Sequence, residues 1–294
     1  MTHLTTMLAS ADPMTHVLPH EIVKFGPFSF TNHMLMLLIS AGLMLLIFPM
    51  LARRYTALSA GERPSAPSGI VNFFESIMNF IRKEVVYPSL HEHTDRFLPY
   101  LWTLFFFILF NNLLGMIPMD AISTAVFGKQ HLFGTATAGI SVTAGLAVVS
   151  FLVFHGAGVV AQYHHAVEHG KSAGVALVTC PFSYLASMVP AVPGFIGIIL
   201  FLPLLVLEFL LSFVKPFALA IRLFANMLAG HVVLASLLAL APAIRHLADA
   251  GVAVPAVLGC AALSCLELFV AFLQAYIFVF LTSMFIGAAV SPDH

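Results

Sequence analysis

The chain has 294 residues, of which 60% are hydrophobic and 9% are Asp, Glu, Lys or Arg; its formal net charge is -1 and its mean hydropathy +1.00. An ordinary soluble domain carries about 25% charged residues, so this is the composition of an integral membrane protein, and a near-neutral chain has no basic surface with which to hold nucleic acid phosphates. Cys180, Cys260 and Cys265 lie in apolar sequence with no C-x-x-C pair, too few for a disulfide framework, and read as buried thiols.

Residues 1–27 read as an outer N-terminal segment. Lys24 is their only base, so the stretch resembles neither an Arg-rich transit peptide nor a secretory signal. A helix needs about 20 apolar residues to cross the hydrocarbon core, and residues 28–51 form the first such run, stopping before Arg53 and Arg54. Over 68–88, Ile70, Phe73, Phe74, Ile77, Phe80 and Ile81 recur at helical spacing beside Glu75, Arg82, Lys83 and Glu84, the pattern of an amphipathic helix on the membrane surface. Two more crossings, near 97–119 and 135–160, make a helix hairpin over 97–160. Residues 174–193 are apolar but carry Pro181, Pro190 and Pro193, and read as a re-entrant or interfacial connection. The last two runs, 195–240 and 252–290, exceed one perpendicular crossing and suggest a long tilted hairpin over 195–290. The expectation is one all-α polytopic membrane domain with five membrane-crossing helices and an interfacial helix.

Orientation follows from the bases. Arg53, Arg54, Arg63, Arg82, Lys83, Arg96 and Lys171 fall on one side, and Lys24, Lys129 and Arg245 on the other. The positive-inside rule then places the N-terminus outside and the C-terminus in the cytoplasm.

Charges inside apolar helices cost about 2.5 to 3.5 kcal/mol each on insertion scales, so each asks for a reason. The penultimate helix contains Glu208, Lys215, Arg222 and His231. At 100° per residue, Glu208, Lys215, Ala218, Ala225, Asn226 and Ala229 fall within about 60° of Arg222. Small residues admit a close neighbour, so this stripe reads as a contact surface presenting a guanidinium to a partner helix. The last helix carries Glu267 and Gln274 on one face, nearly two turns apart. In an antiparallel hairpin, residues whose numbers have a constant sum share a depth. His231 with Glu267 sums to 498 and Arg222 with Gln274 to 496, so acid meets imidazole at one level and amide meets guanidinium about 13 Å away.

Arg222-Leu223-Phe224-Ala225-Asn226-Met227 with Gly230, preceded by Lys215-Pro216 and followed by Leu273-Gln274-Ala275-Tyr276-Ile277-Phe278-Val279, closely resembles the signature of the F-type ATP synthase subunit a family. Phe110-Asn111-Asn112-Leu113-Leu114-Gly115-Met116-Ile117-Pro118 resembles the family's earlier Asn-Leu-x-x-x-x-Pro segment. The resemblance implies that Arg222 is the essential stator charge, that Asn226, His231, Glu267 and Gln274 line the outer ion half-channel, and that Glu208 belongs to the inner one. Asn112 and Asp120 are further candidates for the outer half-channel. His231 and Glu267 stand exchanged relative to many bacterial members, as in mitochondrial ones, which keeps the acid–imidazole pair. Implied partners are a rotor c-ring, peripheral stalk b-type subunits, other ATP synthase subunits and membrane lipid, in a bacterial inner membrane. No cofactor, metal or catalytic residue is expected, since the ATP chemistry belongs to other subunits.

A guanidinium keeps its proton throughout the physiological range, so Arg222 can attract an ionised ring carboxylate without conducting a proton itself. Two offset half-channels would then convert proton entry and exit into rotation, driven by about 2.3 kcal/mol per charge per 100 mV. The chain of titratable His and Glu favours protons over sodium. Duller readings also exist: Lys215 snorkelling to the interface, Asn111, Asn112 and Asp120 as helix-end groups, and His165-Ala166-Val167-Glu168-His169, which fits an H-x-x-E-H zinc pattern, as a loop helix without a third ligand. The competing class is a secondary transporter with a midplane substrate site; such proteins are built from inverted repeats, and the sequence has no such repeat.

Overall fold

The computed structural model describes residues 21–25, 28–59, 69–117, 136–189, 195–246 and 253–290. Five of its helices are long and apolar enough to cross a membrane: Asn32–Arg53, Ile70–Met116, Ile140–Glu168, Ile199–Gly230 and Ala261–Val290. The chain is thus an all-α polytopic membrane protein, with one small hairpin among the described residues. Strands β1 (Glu21–Phe25) and β2 (Phe28–Thr31) pair antiparallel, Phe25 opposite Phe28 and Val23 opposite Phe30.

This hairpin corrects the expected first element. Aromatic and β-branched residues alternate on both sides of Gly26-Pro27, a strand–turn–strand pattern. Residues 28–31 therefore join the sheet, and helix α1 runs Asn32–Ser59. Helix α2 (Ile70–Phe80) passes through a π-helical stretch (Ile81–Val86), a short α3 (Tyr87–Leu90) and a 3₁₀ turn (His91–His93) into α4 (Thr94–Met116). The expected amphipathic segment is therefore nearly continuous with the following span. Ile70, Phe73 and Phe80 on its apolar side are exposed while Val71, Ile81, Val85 and Val86 are buried, leaving one apolar face open to lipid.

Helix α5 (Ile140–Glu168) extends beyond the expected end at 160 and takes in His165 and Glu168. Helix α6 (Ala173–Ser187) replaces the expected proline-broken connection. Pro181 has no N–H to give the Leu177 carbonyl, but the Cys180 thiol donates to that carbonyl at 3.3 Å, so the helix continues. Helices α7 (Phe195–His246) and α8 (Ala253–Val290) form the two long C-terminal elements. Asp120 and residues 190–194 lie outside the described residues. Of the cysteines, Cys180 is buried, but Cys265 is exposed, against expectation. In lipid an apolar side chain has no need of the protein interior, so apolar sequence does not imply burial.

The chain divides into two compact units, to each of which α4, α5, α7 and α8 contribute a segment. Unit 1 contains residues 1–68, 104–143 and 222–276. Its interior is aromatic: Phe106 meets Phe48 edge-on at 4.9 Å, and Phe105 meets Phe272 at 5.6 Å. Leu223, Met227, Ala271 and Ala275 of the same unit are buried as well. Unit 2 contains residues 69–103, 144–221 and 277–294. Polar ties recur there: Trp102 Nε1 donates to the Met78 carbonyl at 3.0 Å, and the hydroxyls of Tyr100 and Ser150 lie 3.1 Å apart. Gly287 lies against Ser89, where a Cβ would collide with the Ser89 carbonyl oxygen. Close approach at small residues and interhelical hydrogen bonds hold helices together in lipid, where apolar burial contributes little.

Candidate functional site

In unit 1, α7 and α8 run antiparallel. Their shared cavity, about 200 Å³, is lined among others by Asn226, Ala229, Gly230, Val233, Leu263, Glu267 and Val270. Gly230 of α7 faces Glu267 of α8 across it. Gly230 makes this approach possible: a Cβ built there would stand 2.7 Å from Glu267 Oε1.

Glu267 is 8% exposed, and among the described residues neither of its oxygens has a hydrogen-bond partner. A carboxylate so placed needs water, a proton or a neighbouring donor, since an unsatisfied polar group in the hydrocarbon region costs several kcal/mol. The His231 backbone continues α7 one residue past Gly230; its side chain lies outside the described ones. Gln274 is 5% exposed and its Nε2 likewise has no partner among the described residues. Asn112, fully buried, donates from Nδ2 to the Ala271 carbonyl at 3.2 Å and leaves its Oδ1 unpaired. That tie from α4 to α8 was not legible in the sequence.

The helical periodicity of α7 separates two faces in unit 1. Leu223 and Met227 are buried against the unit, whereas Arg222, Ala225 and Ala229 are exposed. Asn226 is half-buried at the boundary. The guanidinium therefore projects from an alanine-lined, uncovered face, and Ala229 belongs both to that face and to the cavity holding Glu267.

In unit 2, Glu208 Oε2 and Lys215 Nζ lie 4.0 Å apart, at the outer limit of an ion pair. Lys215 Nζ also stands 5.6 Å from the centre of the Phe285 ring. A second cavity of about 200 Å³ contains both charges, with Tyr184, Ser187, Met188 and Ser212 in its walls. Lys215 thus joins an acid in a shared cavity, and Tyr184 and Ser212 are additions that sequence reasoning missed. One signal was present: His155, an ionisable residue inside an apolar helix, whose Nδ1 lies 3.1 Å from the Tyr184 hydroxyl. At the end of α5, the rings of His165 and His169 stack at 4.1 Å and His169 Nδ1 lies 2.8 Å from the His165 carbonyl. The described residues contain no group of three or more His, Cys, Asp or Glu arranged to hold a metal ion.

Five spans, with buried polar groups along two long helices and an exposed arginine inside one of them, define a polytopic membrane protein. Residues 34–287 match the family model of the ATP synthase A chain. The chain is 38% identical over 262 residues to ATP synthase subunit a of Anaeromyxobacter sp. (strain Fw109-5), covering 89% of this chain and 54% of that protein. It is 35% identical over 299 residues to ATP synthase subunit a of Chloroherpeton thalassium (96% and 78%), and 33% identical over 292 residues to ATP synthase subunit a 2 of Prosthecochloris aestuarii (99% and 78%). The chain belongs to the ATP synthase A chain family. It spans less than two thirds of the length of the Anaeromyxobacter relatives, 54% and 62% in two strains.

Proposed function

We propose that this chain is the ion-conducting stator subunit of an F-type ATP synthase, a non-catalytic membrane subunit that couples proton flow to rotation of a ring. The observation that carries this reading is the exposed Arg222 on an alanine-lined face, beside a cavity that holds the buried Glu267, whose oxygens have no hydrogen-bond partner among the described residues. Alanines let a ring helix approach closely. Arg222 then attracts each ring carboxylate in its ionised form and, because it keeps its own proton, blocks a direct leak. Glu267 with His231, Asn226 and Gln274 forms the outer half-channel, with Asn112 and Asp120 at its margin. Glu208 serves the inner half-channel.

The partners in this reading are the rotor c-ring, b-type stalk subunits and the other synthase subunits. The membrane is a bacterial inner membrane, with the N-terminus outside and the C-terminus in the cytoplasm, as the basic residues of the 52–96 segment require. The test is Arg222→Ala in the assembled complex. ATP hydrolysis should continue without acidifying the vesicles, and Arg222→Lys should also fail substantially, because an ammonium lacks the planar fork and deprotonates when desolvated. Mutant vesicles that acidify at the wild-type rate would overturn the reading.

A further inference from the structure

In unit 2, α5 forms a seat for one side chain of α6. A Cβ on Gly158 would collide with the Tyr184 ring, so the ring lies flat where the glycine leaves room. One turn earlier, His155 Nδ1 meets the Tyr184 hydroxyl at 3.1 Å. The His155 ring is itself held by Phe151 and Phe154, at 4.2 and 4.3 Å between centroids. Tyr184 is 5% exposed, yet it reaches the cavity that contains Glu208 and Lys215.

That cavity has room for several waters and the polar lining that waters need: the two charges, Tyr184 and the hydroxyls of Ser187 and Ser212. Both serine hydroxyls donate to backbone carbonyls of their own helices, Ser187 to Tyr184 at 2.9 Å and Ser212 to Phe209 at 2.7 Å. Their protons are committed, which leaves their lone pairs to accept. In the His155 tautomer that leaves Nδ1 without a proton, the Tyr184 hydroxyl donates to it and presents its lone pairs in the same way. The cavity therefore offers hydroxyl acceptors to water beside the Glu208 carboxylate, while Lys215 supplies a donor.

We propose that Tyr184 is a further residue of the inner ion path, and that His155 is the positioning residue that fixes its hydroxyl in the wall of the Glu208–Lys215 cavity. This rests on the reading of that cavity as the inner half-channel. Tyr184 orients water that exchanges protons with Glu208; His155 acts only through Tyr184. A hydrogen-bond acceptor at position 155 is required, and the ability to titrate is not.

The experiment is ATP-driven acidification of vesicles carrying the whole complex, normalised to the amount of this chain, for Glu208→Gln, Tyr184→Phe, His155→Leu and His155→Gln. Tyr184→Phe keeps the ring in its seat, and together with His155→Leu should lower the rate about fivefold, the equivalent of about 1 kcal/mol for one hydrogen bond. The double variant Tyr184→Phe/His155→Leu should be no worse than either alone. His155→Gln retains an acceptor and should recover most of the rate. Wild-type rates for Tyr184→Phe and His155→Leu, beside a loss for Glu208→Gln, would overturn this inference and leave the half-channel reading standing. A wild-type rate for Glu208→Gln as well would overturn both. A defect in His155→Gln equal to that in His155→Leu would exclude the positioning role.

Discussion

Gly230 of α7 and Glu267 of α8 face each other so closely that a Cβ at position 230 would lie 2.7 Å from Glu267 Oε1 where it stands. The relationship fixes the register of the C-terminal hairpin in unit 1. It also brings a carboxylate, buried in the chain, to the side of the α7 face that carries Arg222.

Gly230→Ala should therefore separate function from stability. The clashing atom is the end of a flexible side chain, which can swing away cheaply, and alanine improves helix propensity by about 1 kcal/mol. The amount of complex in the membrane should stay near wild type while proton pumping falls, because Glu267 is displaced. Quantifying the chain by immunoblot beside acidification rates checks this. Normal pumping by Gly230→Ala would mean that the position of Glu267 is not critical.

Proximity of Gly230 to Glu267 puts the next residue, His231, at the same depth, and the family resemblance pairs the two. His231→Glu alone would set two carboxylates side by side in a low-dielectric site, where ionising both is costly. Combined with Glu267→His, it should recover much of the lost pumping, a coupling well outside additivity. Acidification rates for the four variants at equal expression give the answer. A double variant as poor as the product of the single defects would show that the residues do not share a site.

Two glycines give a stability contrast within unit 2. At Gly287 a Cβ would strike the Ser89 carbonyl, which belongs to backbone, whereas at Gly156 nothing lies within 4 Å. Gly287→Ala should lower the thermal stability of the solubilised complex by roughly 1 to 3 kcal/mol. Gly156→Ala should be neutral or slightly stabilising. Thermal aggregation curves compare them directly, and equal midpoints would contradict the close packing of α8 on the Ser89 turn.

The helix ladder was legible in the sequence because lipid forces it. A segment in hydrocarbon must satisfy its own backbone, so every run of about 20 apolar residues becomes a helix, and helical periodicity alone places Arg222 with Ala225 and Ala229 on one face. The depth match expected of the α7 and α8 polar groups rests on the rise per residue. The β1–β2 hairpin was legible too, but its alternation was absorbed into the first apolar run.

Other features required the tertiary structure. No local pattern says that Asn112 reaches the Ala271 carbonyl, that Glu208 and Lys215 share a cavity with Tyr184, or that Cys180 takes the carbonyl that Pro181 leaves open. Lipid is as apolar as a leucine face, so hydrophobicity does not encode which helix faces meet. That choice is made by the fit of small residues and by individual hydrogen bonds between segments far apart in the chain. Sequence thus determined how many helices cross and where their charges lie along each one. The close approaches at Gly158, Gly230 and Gly287 decided which segments meet, Tyr184, Glu267 and Ser89 being the residues brought against them.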